Sequence, residues 1–347
     1  MANLIISQVC NLACDYCFAQ DFMRGSPADR SQHYISKAAF EERLDFLERS
    51  DIREIRLLGG EPTLHPFFFA LIQQAQKRGR RILVFSHGWL DENTIVSLES
   101  LPDTVVRIMV NMNAQPRPRT VAKYSPVRRE KILQRLGTRA TLGFNVHSPD
   151  FDLTPLVDLI KKIDIRRVIR LGLAQPVWNG NNTYLHPKQY PLVGQKIARF
   201  GRIASEAGIK LEFDCGFVPC MFPKTDRESL QQCHPDLGWH CNPIPDLDID
   251  GQAFHCFPLS KKISTPLLLG ESASEIRNRL IEQAKPYRTA GIYRECSVCT
   301  SKIKGDCTGG CLSATLRRYH QATSRLVVPR GVLYPKESII NQERRIS

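Results

Sequence analysis

Asn3-Leu4-Ile5-Ile6-Ser7-Gln8-Val9-Cys10-Asn11-Leu12-Ala13-Cys14-Asp15-Tyr16-Cys17 sets a short apolar run directly before three cysteines spaced C-x3-C-x2-C. The run 3–7 reads as a strand, and the cysteines fall in the loop that leaves it. From there the chain alternates. Strand-like segments at 53–58, 81–85, 104–110, 140–146 and 168–173 are separated by helical spacing at 38–47, 67–77, 91–98, 128–136 and 153–163. Six strands joined through helices predict a parallel sheet, because a parallel crossover needs a connection of about this length. Six units are too few for a closed eight-fold barrel, so the fold class is α/β, an open or partial (β/α)6 TIM-like barrel over 1–178. Sites in such sheets lie beyond the carboxyl ends of the strands, where the cysteine loop sits.

Composition narrows the function class. The chain has 347 residues, 12 cysteines, a formal charge of +13 and 42% hydrophobic residues. That length buries a core without disulfides, and that apolar content argues against disorder. The greasiest stretch, 67–72, is far too short to span a bilayer, and the first residues lack the basic start of a signal peptide. A cytoplasmic chain without a membrane partner is expected, and there cysteines serve as metal ligands before disulfides. Charge is concentrated in two segments: 114–139 carries eight basic residues and one acid, and 313–347 carries seven basic residues and two acids.

After the sixth strand, 179–214 reads as a bridge with a helix at 192–207 and a last strand at 210–214. From 215 to 320 nine cysteines, several prolines and few long periodic runs mark a loop-rich second domain, of the kind metal staples. A basic tail, 321–347, completes the expected organisation.

Three thiolates on one loop can hold three irons of a cubane cluster and leave the fourth open to a ligand. By spacing alone, buried thiols or part of a zinc knuckle remain alternatives. The segment Cys10–Cys17, with Tyr16 just before the last cysteine, resembles the signature of radical S-adenosylmethionine (SAM) enzymes. Gly59-Gly60-Glu61-Pro62, at the end of the second strand, resembles the GGEP element of the same family. The resemblance covers roughly the first half of the chain. It implies a 4Fe-4S cluster on Cys10, Cys14 and Cys17, whose open iron chelates SAM. One electron then cleaves SAM to a 5′-deoxyadenosyl radical that abstracts hydrogen from a substrate, with a flavodoxin- or ferredoxin-type reductant as electron source. The two glycines are expected to let backbone approach a ligand, and Glu61 to pair with the cofactor's ammonium. Ser86-His87-Gly88 stands where many members have Thr-Asn-Gly; Ser86 is a cofactor candidate, and His87 reads as a solvated loop histidine. Asn111, Asn145 and Arg170, at or near the ends of strands four to six, are candidates for ribose or carboxylate contacts.

The later cysteines, Cys241, Cys256, then Cys296-x2-Cys299-x7-Cys307-x3-Cys311, could by themselves form a zinc ribbon. Beside the radical SAM motifs they resemble the SPASM extension, which carries one or two auxiliary 4Fe-4S clusters. That resemblance implies a hairpin turning at Asp250-Gly251, with Cys241, Cys256 and Cys311 on one cluster, Cys233 added as its fourth candidate. Cys296, Cys299 and Cys307 would serve the other. With no cysteine after Cys311, the eighth ligand falls to Cys215 or Cys220, and one thiol is spare. Sulfatase-maturing members carry Asp after the hairpin's second cysteine; Phe257 stands here, which disfavours dehydrogenation by that route.

SPASM members mostly modify peptides, so the implied substrate is a ribosomal precursor peptide, cross-linked or epimerised. A sugar or amino acid is the alternative. With Cys10 near the start, recognition is expected to fall to the enzyme surface or a detached leader-recognition protein. The basic segment 114–139 is expected either at the cavity mouth, facing an acidic substrate, or as a solvated helix face. Nucleic acid is disfavoured, since no aromatic-rich basic platform is present.

Overall fold

The computed structural model describes residues 1–23, 33–116, 124–241, 244–268 and 270–323. Seven strands run parallel in chain order: β1 (Ala2–Ser7), β2 (Glu54–Gly59), β3 (Arg81–Ser86), β4 (Val106–Asn111), β5 (Ala140–Val146), β6 (Val168–Leu173) and β7 (Lys210–Phe213). They are joined through α1 (Lys37–Arg49), α2 (Phe68–Lys77), α3 (Glu92–Glu99), α4 (Pro126–Leu136), α5 (Thr154–Lys162) and α6 (Tyr190–Glu206). Strand alternation divides the sheet into two faces. Ile55 and Leu57, Ile82 and Val84, Ile108 and Val110, Ile169 and Leu171 are buried in the large apolar core shared with helix residues such as Phe40, Leu71, Leu133 and Val157. The alternate residues, Arg56, Leu83, Arg107, Thr141 and Arg170, line the concave side. Helix starts are capped as the sequence demands: Ser36 accepts from the Ala39 amide, and Asp91 accepts from the Thr94 amide.

The segments after β7 differ from expectation in two ways. They contain real helices, α7 (Lys224–Cys233), α8 (Ala273–Ala284), α9 (Thr300–Ile303) and α10 (Leu312–Thr323), so the region is less loop-rich than its prolines suggest. The cysteine-bearing hairpin also joins the barrel sheet. β8 (Asp246–Leu247) pairs parallel with β1, with Asn3 opposite Asp246, and β9 (Gln252–Phe254) and β10 (Ser264–Pro266) continue antiparallel. The result is a ten-stranded sheet in the order β10-β9-β8-β1 to β7. Gly251 turns the hairpin at φ 81°, as Asp-Gly implies.

Of the basic segment, residues 117–123 lie outside the described residues, and in the rest Arg128, Lys131 and Arg135 are exposed on α4, the solvated helix face that was one of the two expectations. Arg135 pairs with Glu92 and Glu99 (both 2.6 Å), and Arg139 donates to the Leu101 carbonyl (2.6 Å). Arg129 donates to the Met112 carbonyl (2.7 Å) with its guanidinium 4.3 Å over the Trp89 ring. These arginines fasten α4 to α3 and to the end of β4, because Glu92 and Glu99 face them across the helix pair. Of the basic tail, only the last turn of α10 is described. Among the described residues no helix is long and apolar enough to cross a membrane.

Candidate active site at the carboxyl ends of the strands

The cysteine loop leaves β1 and is held from β4's far end. The Ala13 amide donates to the Gln115 carbonyl (3.2 Å), and the Asp15 amide donates to the Gln115 side chain (3.0 Å). Backbone amides also point at all three sulfurs: Leu12 at Cys10 Sγ (3.4 Å), Gln115 at Cys14 Sγ (3.0 Å), and Ala19 and Gln20 at Cys17. Burial, helped by Glu61 and the other two thiols and opposed by the Leu12 amide, pushes the Cys10 thiol up to about 12. Burial, together with Cys14 and against the Ala19 and Gln20 amides, pushes Cys17 up to about 11. Three sulfurs close enough to repel as thiolates, each met by amide donors, fit a shared cationic centre. Among the described residues no three His, Cys, Asp or Glu side chains are grouped to hold one metal ion. A 4Fe-4S cluster asks for something else, one sulfur on each of several irons.

Tyr16 is buried and ties this loop to the strand ends. Its hydroxyl accepts from Asn111 Nδ2 (2.8 Å) and donates to the Asn113 carbonyl (2.9 Å), while its ring stacks on His147 at 4.7 Å. Asn113 in turn spans to β5, accepting from the Asn145 amide (3.0 Å) and donating to the Asn145 carbonyl (2.8 Å). Asn111 and Asn145 therefore stand at neighbouring strand ends as expected. Asn113 and His147 escaped the sequence reading; the repeated Asn-x-Asn at 111–113 was the available signal. Asn111 Oδ1 is buried without a hydrogen-bond partner among the described residues, an acceptor suited to a ribose hydroxyl or an ammonium of SAM.

The glycines of Gly59-Gly60-Glu61 admit the protein's own chain rather than a ligand. A Cβ on Gly60 would lie 2.4 Å from the Val9 carbonyl oxygen, and one on Gly59 would lie 2.0 Å from that of Ser7. The Gly60 amide donates to Ser7 and the Glu61 amide to Val9, both at 2.8 Å, so this turn clamps the root of the cysteine loop. Glu61 is 1% exposed. Its carboxylate accepts from the Thr63 hydroxyl (2.7 Å) and from the His87 amide (2.9 Å). Any ammonium it holds is met by a carboxylate already oriented by two donors.

His87 is not a solvated loop residue. It is 6% exposed, its Nδ1 accepts from the Trp89 amide (3.1 Å), and its Nε2 lies 2.8 Å from Asn11 Oδ1 and 3.3 Å from Glu61. An accepting Nδ1 places the proton on Nε2, which donates toward Asn11 and Glu61. Burial lowers the His87 pKa and keeps the ring neutral. Ser86 is buried and accepts from the Gly88 amide (3.0 Å), shaping the same turn. Arg170 is engaged elsewhere: its Nη2 lies 2.8 Å from Asp214, deep on the concave face.

Eight of the later cysteines fall into two neighbourhoods. The Cys215 thiol is pushed well above its usual range by burial, then by Asp214 and by the thiols of Cys241, Cys311 and Cys256. Burial, together with the thiols of Cys296, Cys307 and Cys299, pushes Cys220 up to about 11. Cys215 and Cys220 are exposed as residues although protein crowds their sulfurs. Donors again face sulfur: Arg288 Nη2 is 3.2 Å from Cys241 Sγ, and the Gly309 amide is 3.3 Å from Cys307 Sγ. Cys233, the last residue of α7, sits on the helix that packs on α6 in the outer layer.

Residues 4–171 match the radical SAM superfamily, so this part of the chain is similar to a radical SAM domain. That match implies a 4Fe-4S cluster and SAM as cofactors. Among more particular relatives, the chain is 28% identical over 105 residues to a S-adenosylmethionine-dependent nucleotide dehydratase of Thermoplasmatales archaeon (strain ISO4-H5), covering 30% of this chain and 35% of that protein. It is 34% identical over 90 residues to one of Selenomonas ruminantium, covering 25% and 30%. The chain thus matches about a third of the length of these relatives. In fold it is similar to anSMEcpe with bound AdoMet (TM-score 0.61, 16% identity, 93% of this chain and 97% of that one). It is also similar to Streptococcus suis SuiB bound to precursor peptide SuiA (TM-score 0.62, 14% identity, 91% and 73%).

Proposed function

We propose that this chain is a radical SAM enzyme that carries two auxiliary 4Fe-4S clusters in a SPASM-type extension and modifies a ribosomal precursor peptide, forming a cross-link or inverting a centre. The observation that carries this reading is the division of eight cysteines into two sets of four, Cys215, Cys241, Cys256 and Cys311 against Cys220, Cys296, Cys299 and Cys307. Each set matches the ligand count of one cubane. In support, the fold likeness to anSMEcpe and SuiB runs nearly the whole chain, and SuiB is known with a bound precursor peptide.

Cys10, Cys14 and Cys17 would hold the SAM cluster, and Glu61 and Asn111 would offer SAM a carboxylate and a free acceptor. When bound, the cluster and SAM supply reductive cleavage of SAM and a radical able to abstract hydrogen. The chain's own part is to fix that loop: Ser7 on Gly60 and Val9 on Glu61, Tyr16 on Asn111, and His87 between Glu61 and Asn11.

Anaerobic reduction in the presence of SAM should release 5′-deoxyadenosine, and Cys14→Ala should abolish it. Co-expression with a short acidic peptide encoded beside the gene, followed by mass spectrometry, tests the substrate. Loss of two hydrogens means cross-linking, and an unchanged mass with altered stereochemistry means epimerisation. A second reading, a small-molecule substrate, is favoured by the nucleotide dehydratase relatives. Turnover of a nucleotide or sugar with no modified peptide would sink the first reading.

A further inference from the structure

The concave face has a second polar feature, at the opposite end from the cysteine loop. Around the starts of β2 to β7 lies a cavity of about 390 Å3 lined by six cations: Arg56, Arg81, Arg107, Arg166, Arg170 and Lys210. Arg81 and Lys210 are exposed at its rim, while the side chains of Arg56 and Arg170 are 17% and 16% exposed inside it. Three carboxylates also line it, too few to balance the cations. Asp236 is taken by Lys210 (2.8 Å), and Glu54 stays 3.8 Å from Arg56, beyond hydrogen-bond reach.

Arg56 is the residue this arrangement leaves short. Its Nε is buried with no hydrogen-bond partner among the described residues. Burial and the facing Arg170 work against the Arg56 cation, while Glu54, Asp214 and Glu212 offset them in part, Asp214 being the carboxylate that pairs with Arg170 at 2.8 Å. Beyond the Arg170–Asp214 pair, guanidiniums that outnumber the carboxylates of a part-buried chamber favour an added anion among them. Guanidinium forks suit tetrahedral oxyanions, which accept several charge-assisted hydrogen bonds at once.

We propose that this chamber binds a phosphate group, free or as the ester of a small molecule, through Arg56, Arg107 and Arg170 from three different strands. The site is separate from the cluster loop and does not depend on the peptide reading.

The test uses the anaerobically purified holoenzyme in phosphate- and sulfate-free buffer, titrated calorimetrically with inorganic phosphate and with ribose 5-phosphate. Saturable binding is expected, weakened about ten-fold or more by Arg56→Gln and by Arg107→Gln. Arg53→Gln, on an exposed residue paired with Asp51, should leave it unchanged. Tighter binding of ribose 5-phosphate identifies an ester ligand, and equal binding identifies the free anion. If Arg56→Gln does not fold, Arg56→Lys and Arg107→Gln carry the comparison. Absence of saturable binding by both probes, or binding that is the same in wild type and the folded variants, overturns the proposal.

Discussion

The backbone amide of His87 donates to Glu61 Oε2 at 2.9 Å, joining the ends of β3 and β2 directly beneath the cysteine loop. The same residue reaches Asn11 through its ring, so one histidine positions both a candidate SAM contact and the loop between Cys10 and Cys14. His87→Ala removes the ring's bonds and keeps the amide. SAM affinity should fall about ten-fold, as expected for losing one or two buried hydrogen bonds, with iron content retained. His87→Gln, which can still donate, should recover part of it. Equilibrium binding of SAM checks this, and an unchanged affinity in His87→Ala removes the positioning role.

Gly60→Ala should be severe. The new Cβ meets backbone, the Val9 carbonyl, so neither partner can swing aside. A loss of about 1–3 kcal/mol is expected from overpacking of this kind, together with a shifted cysteine loop. Thermal unfolding and iron content should fall together. A variant as stable as wild type and fully loaded with iron would show that the clamp is loose.

Asp246 is buried on β8, accepts from Asn3 Nδ2 (2.6 Å), and is pushed up to about 7 chiefly by burial. In the unfolded chain such a carboxyl ionises near 4. The folded state therefore holds the proton more tightly, and the stability this gives at low pH is lost as pH rises toward 7. Asp246→Asn removes the buried charge while keeping an acceptor for Asn3. It should raise stability at pH 8 by up to about 4 kcal/mol, the value of a three-unit shift, with a smaller gain at pH 5.5. Thermal unfolding at the two pH values checks both the sign and the trend.

Single alanine variants should sort the later cysteines. Cys215→Ala and Cys220→Ala should each cost about four irons, one cluster's worth, and Cys233→Ala should cost none. Electron paramagnetic resonance of the reduced proteins should lose a different auxiliary signal in the first two. A Cys233→Ala variant short of iron would return Cys233 to the first set.

The seven parallel strands were legible because each is a short run rich in apolar residues, between helices of ordinary length. β8 was not, since two residues carry no periodicity; its place beside β1 depends on the Asn3–Asp246 pairing. The spacing of Cys215 and Cys220 left their partners open, because both follow β7 and only the fold turns them toward different neighbours. His87 read as solvated since strand-end loops usually are, and its burial comes from Glu61 and Asn11 converging on it. Charge misled in the same way. The conspicuous basic run at 114–139 is partly spent on α3, whereas the barrel chamber is assembled from cations scattered across β2 to β7, which no local window detects.

The most direct measurement of the cysteine division is iron and sulfide content, wild type against the Cys10/Cys14/Cys17 triple alanine variant. About twelve irons per chain falling to about eight is the expected result, one SAM cluster lost and two auxiliary clusters kept. An iron content that does not change in the triple variant, or a wild type holding only about four irons, would contradict it.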